Sequence, residues 1–408
     1  MPGMSMSRRL RPLVLTTAMA FLSTSHLLGA ESAQAIADAN TAFAFDLYAQ
    51  LKSSPGNLFF SPYSISTALA MTYAGARGET EKQMAQVLHF GKDKASVNRA
   101  FGELQRQLAE AEKQKGIQLN IASALWAQQG HPFLPAFLNT AQADYQTNLK
   151  QVDFKSSAEA ARGEINHWVA QKTQEKIQDL LPSGSLNALT RLVLANAIYF
   201  KGVWAAPFEK AETRPQPFHL SATSQIEAPL MSQTDDVRYM ETADFQAVEL
   251  PYSGNVLSMV ILLPRQIDGC GQLESKLAPA LLSSSLAQMK KQKVDIFLPR
   301  FKAQSGFGLG GTLASMGMAD AFGSKADFSG MDGSRLLYIS GVFHKAWVEV
   351  KEEGTEAAAA TVVTMRPSAI MKPLPRPVFR ADHPFIFLIR DTRSGSVLFL
   401  GRLADPGK

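Results

Sequence analysis

Few side chains in this sequence are spaced for chemistry on a substrate. The chain has no Gly-x-Ser-x-Gly turn and no Ser with Lys three positions later, and none of its seven His is followed by Glu. The common patterns of serine and zinc hydrolases are therefore missing. The single cysteine, Cys270, lies between two glycines, with no basic neighbour and no predicted helix start to lower its pKa. We interpret it as a free thiol without a catalytic role, and we expect the protein not to be an enzyme.

One glycine-rich segment has the spacing of a dinucleotide-binding fingerprint. Gly306, Gly308 and Gly311 follow Gly-x-Gly-x-x-Gly, and Asp327 comes about 20 residues later. That role requires the glycines at the turn from a strand into a helix. Here residues 299–305 separate them from the preceding predicted strand, and no second parallel strand is predicted. We therefore expect a flexible surface segment rather than a nucleotide site.

The most informative stretch lies between two predicted strands, one ending near Lys351 and one starting near Phe385. It is roughly 30 residues long with little apolar periodicity, and a loop of that length in a compact domain is functional or disordered. Its first half is rich in Ala and Thr. Its second half carries prolines, which cannot donate to a sheet ladder. They are Pro367, Pro373, Pro375 and Pro377.

The Ala/Thr-rich half has an unusual pattern for a strand. Were residues 354–364 extended, alternate side chains would point to opposite faces. One face would carry only small or β-branched side chains, those of Thr355, Ala357, Ala359, Thr361 and Val363. The other face would carry Glu356, Ala358, Ala360, Val362 and Thr364. Such a strand can enter a sheet without burying a charge on its inward face. A solvated, Ala-rich linker is the alternative.

The elements that must hold this stretch are helices early in the chain and strands later. Helical spacing occurs at 43–51 and 97–111, and Ser61 followed by Pro62 predicts a helix start. Strands are predicted at 117–121, 192–200, 256–263, 294–298, 346–350, 385–389 and 397–400, the last two joined by a turn at 391–395. This order predicts an α+β fold in one large domain.

Composition limits the class of protein further. The 408 residues are 46% hydrophobic and 19% charged, which excludes a disordered or collagen-like chain, and one Cys excludes an intramolecular disulfide. The net charge is +5, and residues 36–408 hold 38 basic against 35 acidic residues. We expect neither nucleic acid nor a membrane as partner.

Residues 1–35 are predicted to be a secretory signal peptide. Arg8, Arg9 and Arg11 precede a mostly apolar run over 13–28, which is too short and too polar for a permanent membrane span. Cleavage sites with small residues follow at Leu28-Gly29-Ala30 and Ala33-Gln34-Ala35. An ordinary N-terminal helix is the alternative. We expect a secreted or periplasmic protein with one domain over 36–408.

From about residue 36 to 405, the chain resembles the serpin family, the loop-inserting protease inhibitors and their non-inhibitory relatives. Four blocks in order carry the resemblance: Asn57-Leu-Phe-Phe-Ser-Pro-Tyr-Ser-Ile-Ser66; Leu194-Ala-Asn-Ala-Ile-Tyr-Phe-Lys-Gly-Val-Trp204 with Pro207-Phe208; Phe343-His-Lys-Ala346 with Val348-Glu-Val-Lys-Glu-Glu-Gly-Thr-Glu-Ala357; and Phe379-Arg-Ala-Asp-His-Pro-Phe385 with Phe399-Leu-Gly-Arg402. The run 306–311 departs from the family pattern. The resemblance implies a serpin fold, with N-terminal helices, three β-sheets and an exposed reactive-centre loop over about 352–378.

The resemblance also implies a mechanism. A serine protease cleaves the loop, stays attached as an acyl-enzyme, and is trapped when residues of about 354–368 insert into the main sheet. The inhibitor is then a suicide substrate, monomeric, and without cofactor or metal. A cysteine protease is the alternative target. A non-inhibitory binding or chaperone protein on the same fold is the alternative function, although the small hinge residues favour an inhibitor.

The resemblance assigns residues to three regions. The hinge that starts insertion is Glu352, Glu353, Gly354, Thr355, Glu356, Ala357, Ala358, Ala359, Ala360 and Thr361. The polar shutter beneath the sheet is Ser61, Ser64, Asn196 and His344. Trp204 is the tryptophan of the breach, where the sheet opens. From the residues alone, Asn196 lies in an apolar strand and must be hydrogen-bonded.

The bond cleaved by the protease is predicted at Ser368-Ala369, from the family's usual count. The loop is longer than usual on its C-terminal side, so Ile370-Met371 and Met371-Lys372 are alternatives. Each basic residue between the hinge and Phe379 precedes a proline, which makes a poor site for trypsin-like enzymes; these residues are Arg366, Lys372 and Arg376. We therefore expect a target that prefers small or apolar residues, such as an elastase-, subtilisin- or chymotrypsin-like protease.

Overall fold

A computed structural model of the chain describes residues 32–147, 149–355 and 376–408. Over these ranges the chain forms ten α-helices, six of them in the first half: α1 (Ala33–Leu51), α2 (Pro62–Gly75), α3 (Gly78–Val87), α4 (Lys94–Glu112), α5 (Pro135–Tyr145), α6 (Phe154–Lys172), α7 (Cys270–Ser275), α8 (Pro279–Gln288), α9 (Gly310–Leu313) and α10 (Ser329–Asp332). None of these helices combines the length and apolar character needed to cross a membrane.

Fifteen strands also lie in the described ranges: β1 (Leu58–Phe60), β2 (Ile117–Gln128), β3 (Lys150–Val152), β4 (Leu192–Val203), β5 (Arg214–Ser221), β6 (Ser224–Glu241), β7 (Phe245–Pro251), β8 (Leu257–Pro264), β9 (Lys290–Pro299), β10 (Phe301–Gly308), β11 (Gly341–Lys351), β12 (Gly354–Thr355), β13 (Val378–Arg380), β14 (Phe385–Asp391) and β15 (Val397–Leu403). One sheet has nine strands, in the order β1-β15-β14-β8-β7-β6-β9-β13 with β5 beside β6. The other has six, in the order β10-β11-β12-β4-β2-β3.

The predicted α+β class is confirmed, with helices leading and strands following. The resemblance implied three sheets, whereas hydrogen bonding joins the described strands into two. The reason is β6, which is 18 residues long. Its first half pairs with β5, its last residues pair with β7, and β9 pairs with its middle. Because β6 is shared in this way, strands that would otherwise form two separate sheets are hydrogen-bonded into one.

The helix start predicted at Ser61 is confirmed, and it fixes the element beneath the six-stranded sheet. The Ser61 side chain accepts a hydrogen bond from the Ser64 amide, and Pro62 occupies the first turn, where its missing N–H costs nothing. The resulting α2 is buried except at Ala74. It contacts β2, β4 and β15, so it lies between the two sheets.

The strand predicted at 192–200 is the centre of the six-stranded sheet. Residues 192–200 of β4 are all buried, as expected for a strand covered on both faces. The main hydrophobic core lies on the α2 side. On the other side, small residues of β2 and β4, including Ala124 and Ala197, form a second core with Ile165 and Val169 of α6. Because alanines face α6, that helix packs close to the sheet.

Three details of the predicted fold are wrong. Gly306 and Gly308 are not a flexible segment; they lie in β10, opposite Lys345 and Phe343 of β11, because β11 offers a ladder that outweighs the glycines' weak strand preference. Cys270 does begin a helix, α7, yet burial and Glu274 outweigh Arg402 and raise the pKa of its thiol to about 12. The third is β13, a strand parallel to β9 within the stretch expected to be irregular until Phe385.

Candidate functional site

The hinge starts inside the six-stranded sheet. β4 and β11 pair directly in parallel from Val193 with Gly341 to Tyr199 with Trp347. Beyond that point they separate, and β12 lies between them, antiparallel to both. We call the line along which β4 and β11 meet the seam. Four predicted hinge residues, 352–355, are described; residues 356–361 and the predicted reactive bond at 368–371 lie outside the described residues.

Gly354 fits this gap only because it has no side chain. Its φ is +144°, which other residues rarely adopt. A Cβ at this position would come within 2.1 Å of the Gly202 carbonyl oxygen and 2.6 Å of the Val203 Cα. A hinge residue of any other type would therefore have to leave the gap.

Glu352 anchors the base of the hinge although its side chain is buried. Its Oε1 accepts hydrogen bonds from Arg300 Nε at 2.6 Å and Thr213 Oγ1 at 2.5 Å, and its carbonyl accepts from the Phe208 amide at 2.8 Å. Burial alone would raise the pKa of this carboxyl, but the hydrogen bonds outweigh burial and hold the pKa below its ordinary value. The carboxylate is therefore charged and compensated at neutral pH.

Glu353 makes a more exposed contact in the same turn. Its carboxylate pairs with Lys210, whose side chain is 65% exposed, and this hydrogen bond raises the pKa of Lys210. The Glu353 carbonyl accepts a hydrogen bond of 2.9 Å from the Trp204 amide. The backbone of the turn is thus tied to the chain that follows β4.

Trp204, the predicted breach residue, borders the gap that holds β12. Its indole stacks on Tyr252, with ring centroids 4.5 Å apart and planes at 10°, and its Nε1 donates to the Lys351 carbonyl at 3.0 Å. The Tyr252 hydroxyl lies 2.9 Å from Thr355 Oγ1. The aromatic pair therefore contacts both the strand before the hinge and the hinge itself.

The four predicted shutter residues meet in one buried network under the seam. Asn196 of β4 and His344 of β11 are directly opposite each other, and His344 Nδ1 lies 2.6 Å from Asn196 Oδ1. Asn196 Nδ2 donates to the Ser64 carbonyl at 2.9 Å and to Ser64 Oγ at 2.6 Å. The Ser61 hydroxyl donates to the Leu398 carbonyl at 2.6 Å. The network therefore joins both strands of the seam to α2 and β15.

The network fixes the protonation of His344. The Ser61 amide donates to His344 Nε2 at 3.0 Å, so Nε2 is an acceptor and the proton must be on Nδ1, where it serves Asn196. Burial lowers the pKa of His344 to about 3. A second proton would remove the Ser61 contact and bury a charge, so the ring is neutral at physiological pH.

Sequence reasoning missed four residues that complete these contacts. Ser123 of β2 accepts from Asn196 Nδ2 at 3.2 Å, and Thr213, Tyr252 and Arg300 hold the hinge. Each belongs to a strand or turn distant in sequence from its partner. Only the register of β2 against β4, which places Ser123 opposite Asn196, would have identified Ser123.

Comparison with known proteins agrees with this geometry. A family model described as serpin (serine protease inhibitor) matches residues 38–406. The chain belongs to the serpin family, a family of protease inhibitors rather than enzymes.

Individual relatives match over almost their whole length. Serpin B3 of Homo sapiens is 41% identical over 389 residues, covering 91% of this chain and 99% of that protein. Leukocyte elastase inhibitor of Xenopus tropicalis is 42% identical, again covering 91% of this chain and 99% of that protein. A crystal structure of human thyroxine-binding globulin complexed with thyroxine has a TM-score of 0.82 at 29% identity, covering 92% of this chain and 100% of that one.

Proposed function

We propose that this protein inhibits a serine protease by trapping it as an acyl-enzyme through strand insertion. The observation that carries the proposal is β12. The first residues of the hinge already occupy the gap between β4 and β11, antiparallel to both, so the entry point for a longer strand exists in the resting fold. The names of the elastase-inhibiting relatives support the same class of activity.

The register of β12 predicts where an inserted strand would lie. Thr355 faces Gly202 on one side and Val350 on the other. Continued without a bulge, this register places Ala358 between Tyr199 and Trp347, and Thr361 between Asn196 and His344. The inward face then carries the small and β-branched set of the hinge, and the Thr361 hydroxyl replaces the direct contact between the two shutter side chains.

The chemical step is an ordinary acylation that is not completed. The protease serine attacks the carbonyl of Ser368, the peptide bond to Ala369 breaks, and the new amine leaves with the C-terminal segment. About 15 residues then enter the sheet at roughly 3.3 Å each, which carries the attached protease about 50 Å. Displacement distorts its active site before water can hydrolyse the ester.

The target is proposed to prefer small or apolar residues. Each basic residue of the loop precedes a proline and is a poor cleavage site; these residues are Arg366, Lys372 and Arg376. The candidate cleavage sites are therefore the bonds that follow Ser368, Ile370 and Met371. Elastase-, subtilisin- and chymotrypsin-like enzymes fit this set, and a cysteine protease of similar preference is the alternative.

The first experiment mixes the protein separately with elastase, subtilisin, chymotrypsin and trypsin. We expect a complex that survives denaturing electrophoresis with one of the first three, and a released peptide that begins at Ala369 or within the next three residues by mass spectrometry. Cleavage without a complex, together with no gain in thermal stability, would refute trapping. Rapid inhibition of trypsin with cleavage after Arg366 would refute the proposed specificity alone.

The second candidate function is binding of a small molecule without inhibition. A cavity of about 560 Å³, lined in part by Arg238, Glu249, Leu286 and Arg390, favours it, as does the relation to a globulin complexed with thyroxine. Equilibrium dialysis against labelled aromatic carboxylates tests whether the cavity binds a small molecule. Retention of such a ligand, with no complex in the protease assay, would make it the leading function.

We also propose export as a monomer after removal of a signal peptide. Of the two cleavage sites, the one after Ala30 retains Ser32, whose Oγ accepts from the Ala35 amide at 3.1 Å and caps α1. N-terminal sequencing of the protein from the medium or periplasm tests the site, and size-exclusion chromatography with light scattering tests the monomer. An unprocessed cytosolic chain would refute export.

A further inference from the structure

The seam is also held on its outer face, away from the shutter. Tyr199 of β4 and Trp347 of β11 are the last residues that pair directly before β12 separates the strands. Their rings touch across the seam, with centroids 5.5 Å apart and planes at 52°. Alternation along the strands places them opposite in direction to Asn196 and His344, three residues away on each strand. The seam is therefore bridged on both faces.

A lysine from outside the sheet covers both rings. Lys176, four residues after α6, lies with Nζ 5.0 Å from the Trp347 ring centroid and 5.9 Å from that of Tyr199. Both distances are within the range of cation–π attraction. One cation is thus attracted to a ring on each side of the seam. We call Lys176, Tyr199 and Trp347 the outer clamp.

The segment that carries Lys176 is held in a strained conformation. Gln174, Glu175 and Asp179 have positive φ angles of 51°, 60° and 50°, which are unfavourable for residues other than glycine. The same segment is tied to β11 a second time, because Lys345 Nζ donates to the Gln178 carbonyl at 2.7 Å. Contacts with the sheet therefore keep in place a conformation that the segment's own backbone does not prefer.

We propose that Lys176 is a positioning residue that keeps the seam closed and slows strand insertion. The inference rests on the proposed function, because it concerns the same opening of β4 from β11. An inserted strand places Ala358 between Tyr199 and Trp347 and moves the two rings apart by one more strand spacing, about 4.8 Å. Lys176 cannot then cover both rings. The clamp thus stabilises the closed sheet and not the transition state for opening, so its loss speeds opening.

The chain supplies a matched control. Lys150 covers Trp126 and Trp168 in the same manner, with Nζ 5.2 and 5.5 Å from their centroids. Trp126 is in β2 and Trp168 in α6, so both rings are on the β4 side of the seam and need not separate when it opens. Removing the charge of Lys150 deletes an equivalent interaction without touching the seam.

The experiment measures how fast the sheet accepts a strand, independently of any protease. A synthetic peptide with the sequence of residues 355–368 is incubated with the full-length protein, and uptake is followed by native electrophoresis and by the gain in melting temperature. We expect Lys176→Met to take up the peptide about tenfold faster than the parent. Lys176→Arg, which keeps a cation, should restore the parent rate, and Lys150→Met should leave it unchanged.

The outcomes separate this proposal from the proposed function. Equal uptake rates in Lys176→Met and the parent, or equal acceleration by Lys150→Met, would overturn the clamp while protease trapping by the parent still stood. Faster uptake in Lys176→Met but no covalent complex with any protease would support the clamp and refute inhibition. No uptake by the parent or by Lys176→Met, together with no covalent complex with any protease, would overturn both.

Discussion

The hinge and the shutter are held closed by different physical means, although the shutter pair lies at the middle of the seam and the hinge just beyond its last direct pair. At the hinge the contacts are ion pairs. Glu352 is buried but its partner Arg300 is 40% exposed, and Glu353 pairs with Lys210, which is 65% exposed. At the shutter, Asn196 and His344 form a neutral network that is fully buried. Exposed ion pairs form and break at little cost, whereas a buried polar network is costly to leave unsatisfied. If the sheet opens as we propose, we expect the exposed Glu353–Lys210 pair to break easily and the shutter to resist opening.

The largest effect is expected from a charge placed on the inward face of the hinge. Thr355 is fully buried and contacts Tyr252, so Thr355→Arg must either expel the hinge or bury an unpaired charge. We expect insertion to slow by at least about 100-fold, so that the protease cleaves the loop and leaves without a stable complex. Electrophoresis of the products measures this.

The control for Thr355→Arg places the same side chain one residue later. Glu356→Arg points to the outer face of the proposed inserted strand, where a charge stays in water, and trapping should be retained. Equal loss of the complex in both variants would contradict the alternation on which the inserted register depends.

A large loss of stability is expected at the shutter. Asn196→Ala removes the acceptor of His344 Nδ1 and the donor to Ser64, all buried, which should lower the free energy of unfolding by about 3 kcal/mol. Asn120→Ala is the control, because Nδ2 of Asn120 in β2 has no hydrogen-bond partner among the described residues. Urea unfolding measures both variants. Similar losses would show that the network adds nothing beyond packing.

The shutter should also respond to acid before the hinge does. The pKa of His344 falls from 6.5 unfolded to about 3 folded, so the unfolded chain binds the extra proton in this window. Stability is therefore full above pH 6.5 and falls by about 1.4 kcal/mol per unit below it, a loss of about 2 kcal/mol at pH 5. Glu352, whose pKa is lowered, keeps its stabilising contact until the pH falls below its ordinary value.

The acid response can be assigned with one variant. His344→Gln cannot take up the proton, so its unfolding free energy should vary less between pH 7 and pH 5 than that of the parent, by the same 2 kcal/mol. Urea unfolding at the two pH values gives the difference. Parallel pH profiles for the two proteins would mean that other groups cause the loss.

The smallest effects are expected at the hinge ion pairs, and they should be unequal. Arg300→Met removes the charged partner of the buried Glu352 carboxylate, and because Arg300 is 40% exposed we expect a loss of about 2 kcal/mol, less than for a fully buried pair. Lys210→Met removes a partner at the surface and should change the unfolding midpoint within experimental error. Equal losses would remove the distinction between the two glutamates.

The sequence predicts those parts of this fold that depend on local chemistry. Ser61 with Pro62 gives a helix start, the apolar run at 192–200 gives a central strand, and Asn196 in that run demands a partner. What it does not predict is pairing between distant segments. The described residues of β12, Gly354–Thr355, form a strand only because β4 and β11 separate around them, and Gly306 is in a strand only because Lys345 lies opposite. Ser123 joins the shutter through the register of β2, which no single segment specifies.

The direction of β12 has a consequence for the energetics of the proposed insertion. β4 and β11 are parallel to each other, and β12 is antiparallel to both. In the register of β12, residues 358–364 would each replace one of the seven parallel pairs of the seam by two antiparallel ones, and antiparallel pairing is slightly the more stable per residue. The fold thus already contains the first residues of such a strand, and each of these seven steps would add one strand pair to the sheet. For the proposed insertion, the first strand pairs therefore already exist, and only extension of the strand would remain.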